Sequence, residues 1–527
     1  MAYPVLAAKN TWFAPTNDSI VKDSITEIEI MDNYAPDDTV TVVDSWDASD
    51  AKDGSIMCYV IGTKLIMTGN GSGKIALNSD SSQLFSYFNE ATAISNLYLL
   101  DSSNVINFFM AFYCLSKITS LDVNDWDISN VQNAGGMFGE DKLLSNIDVS
   151  NWDTRNLIRA NQMFYNCNAL TQVDLSRWKT SNITTFYGLF MFCHSLQTIG
   201  DVSDWDTSSV TAMSCMFSQC KQLTDLNIAN WNLSNVTTCE NMFSECPKLN
   251  NIDVSKWNTS LCTNMSFMFY QCSSLKEIDV SNWDVSKVTN FDHFAAHANL
   301  KRKGIENWKT TSATNMNALF HNCAEEELDL SGWDVSKNQF FCQMFENSPN
   351  LKRIKGLDKW NTSAGLGFDG MFERCSKLEE VDLSSFNTTK AKNGTAASNN
   401  GHKTATLQNM FLSCNNLKKV TVGPNFSING NGSNTTAANK AILPTPATDY
   451  IEGADGNWYT FNGEAYAPNA MKDKTAETYY ASPVMVYDAD VIVKNSSLID
   501  TAKAIREKNG KTTHYTPAQF GAAIRAM

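Results

Sequence analysis

The sequence predicts an α/β repeat solenoid, a stack of about ten or eleven units in which each contributes one short strand, a turn and a helical turn. Three columns of residues carry this prediction. Ten tryptophans (Trp126, Trp152, Trp178, Trp205, Trp231, Trp257, Trp283, Trp308, Trp333 and Trp360) recur at intervals of 25 to 27 residues, and Phe386 stands next in phase. A Met-Phe pair repeats in the same register at Met137-Phe138, Met163-Phe164, Met216-Phe217, Met242-Phe243, Met268-Phe269, Met344-Phe345, Met371-Phe372 and Met410-Phe411, with Leu189-Phe190 and Leu319-Phe320 keeping the phase. Cys167, Cys193, Cys220, Cys246, Cys272, Cys323 and Cys375 each follow their tryptophan by 15 residues. A chain of 527 residues exceeds one ordinary core, and a fixed period of this length points to units that bury their apolar faces on one another.

The unit at residues 252 to 277 shows how one layer is built. Leu249, Ile252 and Val254 alternate with Asp253 and Ser255, which gives a short strand with one face inward. The segment 257 to 263 is rich in Asn, Ser and Thr, whose side chains bond nearby backbone groups and favour turns. Met265, Met268, Phe269, Cys272 and Leu275 then recur at three- and four-residue steps, which predicts a helical turn with one apolar stripe. The tryptophan column is therefore expected in the core, and the methionine stripe beside a fixed Phe is expected to pack there, without metal or cofactor chemistry. Column cysteines about 5 Å apart would run parallel instead of facing one another, a poor geometry for disulfides, so buried reduced thiols are expected.

The ends lack the period. Residues 1–93 are expected to form a β-rich docking or capping region: residues 39–44, TVTVVD, alternate like a strand, and Tyr59 to Met67 before Gly69-Asn70-Gly71 reads as a strand entering a tight turn. The glycines at 69–73 are not a phosphate loop, because no Lys-Ser or Lys-Thr opening a helix follows them. The solenoid is expected over 94–424. Residues 425–486 read as a linker, rich in Asn, Gly and Thr and ending in LPTPAT, followed by a small β-rich module with Trp458 and several tyrosines. No Leu-Pro-x-Thr-Gly wall-sorting signal is present. Residues 487–527 predict an αα-hairpin: Leu498, Ile499, Ala502 and Ile505 form one stripe, Gly510 follows, and Thr516-Pro517 opens a second helix.

The formal net charge of −15 and pI near 4.9 argue against a nucleic-acid partner, since that affinity comes from Lys and Arg displacing counterions. The first 15 residues lack a charged start before an apolar run, and no stretch of 18 apolar residues occurs, so a soluble protein made without a Sec signal and without membrane insertion is expected. Six histidines leave few general bases. His293 and His297 stand four apart like two zinc ligands, but Phe294 occupies the place of a metalloprotease Glu, and irregular packing is the better expectation. With no Ser-His-Asp set, nucleophile elbow or recognisable carboxylate pair, no catalytic residue, cofactor or metal is expected. One binding candidate stands out. Four residues before the aromatic column lie Asp122, Asp148, Asp174, Asp201, Asp253, Asp279, Asp329 and Asp382. Stacked in register they would form a carboxylate ladder whose like charges raise one another's pKa and attract Ca²⁺, or contact a basic or sugar ligand; alternatively, they bond turn amides.

The pattern Leu-x-x-Ile-Asp-Val-Ser-x-Trp-Asp-x-Ser-x-Val-Thr-x-Met-x-x-Met-Phe-x-x-Cys-x-x-Leu resembles the BspA-like leucine-rich repeats of bacterial surface proteins, in the 26-residue variety also known from mycoplasma lipoproteins. The resemblance implies a curved leucine-rich-repeat-like solenoid used for adhesion or recognition. Departures fall at His293-Phe294, where the unit is one residue short, at Ser348 in place of the column cysteine, and in an insertion near residues 390 to 406. Residues 46–85 resemble the lead-in to such repeats in prophage-encoded proteins. The closing segment, with Ala-Ile-Arg-x-Lys-x-Gly, Thr-Pro-x-x-Phe and a final Ile-Arg, resembles a terminal motif of phage tail proteins. These resemblances imply a non-enzymatic virion protein, a tail fibre or another tail- or capsid-associated component assembled in the bacterial cytoplasm. Its solenoid would bind a host-surface or mucosal glycan or protein, an end module would dock to other virion proteins, and the chain would form a homo-oligomer, such as a trimer. The alternatives are a bacterial surface adhesin and a glycan-degrading tailspike.

Overall fold

The computed structural model describes residues 3–391, 407–429 and 441–483. The chain divides into two compact units, Met1–Gly304 and Ile305–Met527. The first unit opens on a five-stranded sheet in the spatial order Asp44–Asp47, Met57–Ile61, Lys64–Thr68, Glu27–Met31, Ala93–Ser95. The segment expected as one strand over Tyr59 to Met67 is a hairpin, turned at Gly62 with φ 62°. The strand expected over 39–44 begins only at Asp44, because the Asp37 carboxylate takes both the amide and the hydroxyl of Thr39 and closes a turn there. Glu27–Met31 runs parallel to Ala93–Ser95, so this sheet leads directly into the repeats. Trp12 covers the first of them: it is fully buried, stacks on Phe88 at 6.1 Å, and donates its indole N–H to the Leu84 carbonyl at 2.8 Å.

Successive coils are joined by two parallel ladders. One runs through the strand positions, pairing Ser120–Leu121 with Asn146–Ile147, Gln172 with Thr198, Asp225 with Asn251, and Glu277–Asp279 with Lys301–Lys303. The second bridges Asp80, Asn107, Asn133, Arg159, Thr185, Ala212, Thr238, Asn264 and Asn290 in turn. It thus starts at Asp80, ahead of residue 94. The second unit has two ladders of the same kind, which join Glu327–Asp329 to Arg353–Lys355, Glu380–Leu383 to Lys419–Val422, and Asn315 to Phe340 to Gly367.

The expected helical turn does not form, and no α-helix occurs among the described residues. In the Met268-Phe269 coil the amides of Met265, Phe267, Phe269 and Gln271 donate to Asn290, Asp292, Phe294 and Ala296 of the next coil at 2.8–3.0 Å. The intervening amides of Met268, Tyr270 and Cys272 turn back three residues within their own coil. Left-handed residues four apart, Phe267 and Gln271, both at φ 56°, make this alternation possible. The spacing explains the choice. Coils held by strand-type bonds lie about 5 Å apart, whereas an α-helix is about 10 Å across and would force them open. The three- and four-residue apolar steps therefore describe a chain of tight turns that points the same residues inward.

The core is made of columns. All ten repeat tryptophans are 5% exposed or less, and each of Trp126, Trp152, Trp178, Trp205, Trp231, Trp257, Trp283, Trp333 and Trp360 donates its indole N–H to a carbonyl of the preceding coil at 3.0–3.5 Å. Rings of the Met-Phe column stack at 5.3–5.9 Å from Phe138 through Phe164, Phe190, Phe217 and Phe243 to Phe269. Cys167, Cys193, Cys220, Cys246, Cys272, Cys375 and Cys414 are free thiols, each donating to the carbonyl of the column Phe in the preceding coil at 2.9–3.2 Å. Ser348 keeps this bond with its hydroxyl, 2.9 Å from the Phe320 carbonyl, which accounts for its tolerance in the column. Buried Thr154, Thr180, Thr207 and Thr259 supply the complementary link, donating to the following coil at 2.9–3.1 Å.

The second unit closes its ladder with antiparallel strands. Glu477–Tyr480 pairs with Lys419–Val422 and with Trp458–Thr460, which in turn pairs with Ala465–Tyr466. This turns an open ladder edge into a paired one, as terminal units of repeat proteins must. The expected αα-hairpin and the insertion at 392–406 lie outside the described residues.

Candidate functional site

The aspartate ladder is turn architecture. Asp148, Asp174, Asp201, Asp253, Asp279, Asp329 and Asp382 each accept the backbone N–H of the Ser two residues on, at 2.9–3.1 Å. Instead of rising through mutual repulsion, as a bare ladder would require, the shifts run downward. Bonds from the following Ser hold the carboxyls of Asp148, Asp201, Asp253 and Asp329 below the usual range. Asp279 falls to about 2, chiefly because Lys303 of the next coil approaches to 2.6 Å, with Ser281 adding to it. Asp122 shares the exposed strand position. A carboxylate already held by turn amides has little left for a cation. No set of His, Cys, Asp or Glu suited to a metal occurs among the described residues. Chelator should therefore leave the melting temperature unchanged, and calorimetry with calcium should give no heat beyond dilution; a saturable isotherm would restore the ladder as a cation site.

Two further Asx columns escaped the sequence analysis. Asp127, Asp206, Asp284 and Asp334, each directly after a tryptophan, bond the Ser amide two residues on at 2.9–3.0 Å. Asn107, Asn133, Asn264 and Asn290 close a third turn at the second ladder. The repeated Asp-x-Ser spacing after the tryptophans was the available signal for the first of these; in the Asn column the residue two on varies, Phe109, Gly135, Ser266 and Asp292, and only the recurring Asn marks the turn.

On the strand face of the second unit, charge alternates by coil and cancels: Lys352 meets Glu326 at 2.7 Å, while Arg353 and Lys418 approach Glu379 at 3.8 and 3.7 Å. His293 packs as expected. It stacks on Phe267 at 4.9 Å and its Nδ1 lies 2.7 Å from an Asp292 carboxylate oxygen. His297 meets the Tyr270 ring edge-on at 5.6 Å.

Outside the core columns, the turn face of the first unit carries a row of aromatic rings. Tyr87 and Tyr187 are 43% and 41% exposed, and Tyr113, Tyr165 and Phe192 are half-buried. Tyr87 meets Tyr113 edge-on at 5.7 Å, and Tyr165 meets Phe192 at 5.8 Å. Burial first, and Glu140 second, pushes the Tyr113 hydroxyl up to about 12, so it stays a proton donor. Glu140 accepts an amide N–H of Asn166 at 2.9 Å, and Asn166 accepts one from Asn168 at 2.9 Å, which lays a polar line beside the rings.

In the second unit, Asp369 is a carboxyl held out of its usual range. Burial first, then Glu373 and Glu346, push it up to about 7. The folded state thus keeps a proton that the unfolded chain releases near pH 4; the associated stability is full below about pH 4 and is lost as pH rises to about 7. Asp369→Asn, which cannot ionise, should raise stability at pH 8 by on the order of 1–3 kcal/mol, the full shift being trimmed by residual solvent access, and change it little at pH 4. Melts at the two pH values test this, and equal shifts would contradict it.

No helix among the described residues is long and apolar enough to cross a membrane. No curated protein matches the chain. Among solved structures it is similar to a leucine-rich repeat protein of Bacteroides ovatus, at 21% identity over 60% of this chain and 82% of that one, with a TM-score of 0.27. It is also similar to a leucine-rich repeat protein of Eubacterium ventriosum, at 12% identity over 78% and 98% of the two chains, with a TM-score of 0.32. A leucine-rich cell surface protein of Faecalibacterium prausnitzii matches at 14% identity over 70% and 82%, with a TM-score of 0.25. Residues 80–200, 191–299, 268–356 and 292–419 match the family model described as "Mycoplasma protein of unknown function, DUF285". Those segments cover well over half of the sequence and coincide with the coils built on the Trp, Met-Phe and Cys columns, and the chain belongs to the DUF285 family.

Proposed function

We propose that this protein is a non-enzymatic recognition module of the bacterial surface-adhesin type, in which the coils form a fixed scaffold and the exposed columns form the contact face. One observation carries the reading. The inward columns repeat almost without change and spend their polar groups on holding coils together, whereas the outer position seven residues past the second ladder varies freely and is nowhere buried: Cys114, Glu140, Asn166, Phe192, Gln219, Glu245 and Gln271. A constant core under a variable surface is the arrangement by which repeat proteins recognise partners. The resemblance of the repeat to BspA-like surface proteins points the same way. Labelled full-length protein should bind immobilised mucin or intact bacterial or epithelial cells saturably, without releasing soluble sugar. Absence of saturable binding, or steady release of saccharides, would overturn the proposal.

A second reading places the same scaffold on a virion, docked through an end module to other particle proteins and assembled as a homo-oligomer. The terminal resemblance at residues 496–527 favours it. Immunogold labelling separates the two readings: gold on bacterial envelopes supports the adhesin, gold on phage tails the virion protein.

A further inference from the structure

We propose that the outer row formed by Tyr87, Tyr113, Tyr165, Tyr187 and Phe192 is a docking platform for a neutral glycan chain. The proposal rests on the recognition role above and names its site and ligand class. The rings stand outside the core. Trp, Met and Phe of the inner columns already fill the interior, so packing within the coils does not demand these further aromatics. Two edge contacts, Tyr87 to Tyr113 at 5.7 Å and Tyr165 to Phe192 at 5.8 Å, link rings of adjacent coils on either side of one ring-free coil.

The coil between Tyr113 and Tyr165 has no side chain at three positions. It carries Gly135, Gly136 and Gly139 where the flanking coils carry Phe109, Met110, Tyr113 and Asn161, Gln162, Tyr165. Gly136 answers a backbone need, at φ 63°, but Gly135 and Gly139 have no such requirement. Their smallness serves the surroundings. A Cβ on Gly139 would lie 3.0 Å from two carbons of the Tyr113 ring, and one on Gly135 would lie 3.0 Å from the Asn161 amide oxygen. The Tyr113 ring therefore rests on bare backbone, which fixes it as a rigid shelf.

Beside this shelf runs the bonded line Glu140, Asn166 and Asn168, and the charge of Glu140 is met by Lys142 at 3.3 Å. Pyranose rings offer apolar C–H faces to aromatic rings and hydroxyls to amides and carboxylates, which matches this combination of rigid rings and neutral polar groups. The repeat of about 5 Å between coils is close to the length of one sugar unit, so a linear chain laid across the coils would meet rings on the flanking coils and pass over Gly139 between them. The row lacks the clustered basic residues that phosphate or sulfated chains would require, and the chain's charge of −15 adds to that exclusion.

The test uses the full chain and isothermal titration with neutral hexasaccharides of β-1,4-glucose, α-1,4-glucose, β-1,3-glucose and β-1,4-mannose, with deglycosylated mucin polypeptide as the protein probe. At least one hexasaccharide should bind. Tyr187→Ala and Tyr113→Ala should each weaken that binding tenfold or more, while Tyr113→Phe keeps most of it. Tyr187 is exposed enough for its variant to keep the wild-type melt, so a folding failure at Tyr113 would not hide the answer. The proposal is overturned if no neutral hexasaccharide binds, if the variants bind as tightly as the wild type, or if only the polypeptide probe is captured. Adherence to cells that persists in the tyrosine variants removes this site and leaves the recognition role standing. A wild-type chain that adheres to nothing removes the role itself.

Discussion

Trp257→Ala should lower the stability of the first unit by roughly 3–5 kcal/mol, read as a shift in the midpoint of urea unfolding followed by circular dichroism. The indole is 1% exposed, stacks on Trp283 at 6.1 Å and on Phe243 at 6.5 Å, and donates to the Ile228 carbonyl at 3.1 Å. Burying such a ring removes roughly 150–250 Å² from water, worth on the order of 4–6 kcal/mol before ordering is counted, and a rigid column above and below cannot collapse into the vacated space. Trp257→Phe separates the contributions: it keeps most of the apolar contact and loses the N–H bond, so it should cost about 1–2 kcal/mol. Coils are bonded mainly to their neighbours, so the defect should also spread along the stack as early loss of the adjacent coils. An alanine variant that unfolds with the wild type would place the tryptophan column outside the load of the fold.

The columns were legible because each one answers to a single inward direction, and any local geometry that preserves that direction yields the same spacing. For the same reason the local geometry was not legible. Met265, Met268, Phe269 and Cys272 carry helical steps, yet the backbone between them alternates bonds to the next coil with three-residue turns. What decides between helix and turn is the distance to the neighbouring coil, a tertiary quantity that the residue spacing does not contain. The aspartates show the converse. Their recurrence in phase was plain, and so was the Ser that follows most of them by two residues, but a ladder of carboxylates and a ladder of Asx turns share one sequence pattern. Only the 2.9–3.1 Å bonds to the Ser amides separate them. The aromatic platform was hidden for another reason. Tyr87, Tyr113, Tyr165 and Tyr187 occupy three different positions of the repeat, and only the side-by-side bonding of coils brings them into one row.

Gly304→Ala should cost about 2–4 kcal/mol, and the reason lies in the neighbouring coil as much as in the backbone. Gly304 has φ 90°, and a Cβ there would stand 2.3 Å from Ser281 Cα and 2.6 Å from its Cβ. Ser281 cannot retreat, because its amide and hydroxyl are both bound to the Asp279 carboxylate, which Lys303 also holds. Gly356 repeats the arrangement in the second unit, with φ 94° and a Cβ position 2.5 Å from Ser331 Cα. The control is Gly54, in the same unit as Gly304, with φ 73° and nothing within 4 Å of its Cβ position. Gly54→Ala carries only the left-handed backbone penalty, about 1 kcal/mol. The difference between the two variants, measured by urea unfolding, is then the cost of forcing adjacent coils apart, and it should reach at least 1 kcal/mol. Equal losses at Gly54 and Gly304 would mean that the coils can separate freely, which the two hydrogen-bonded ladders do not allow.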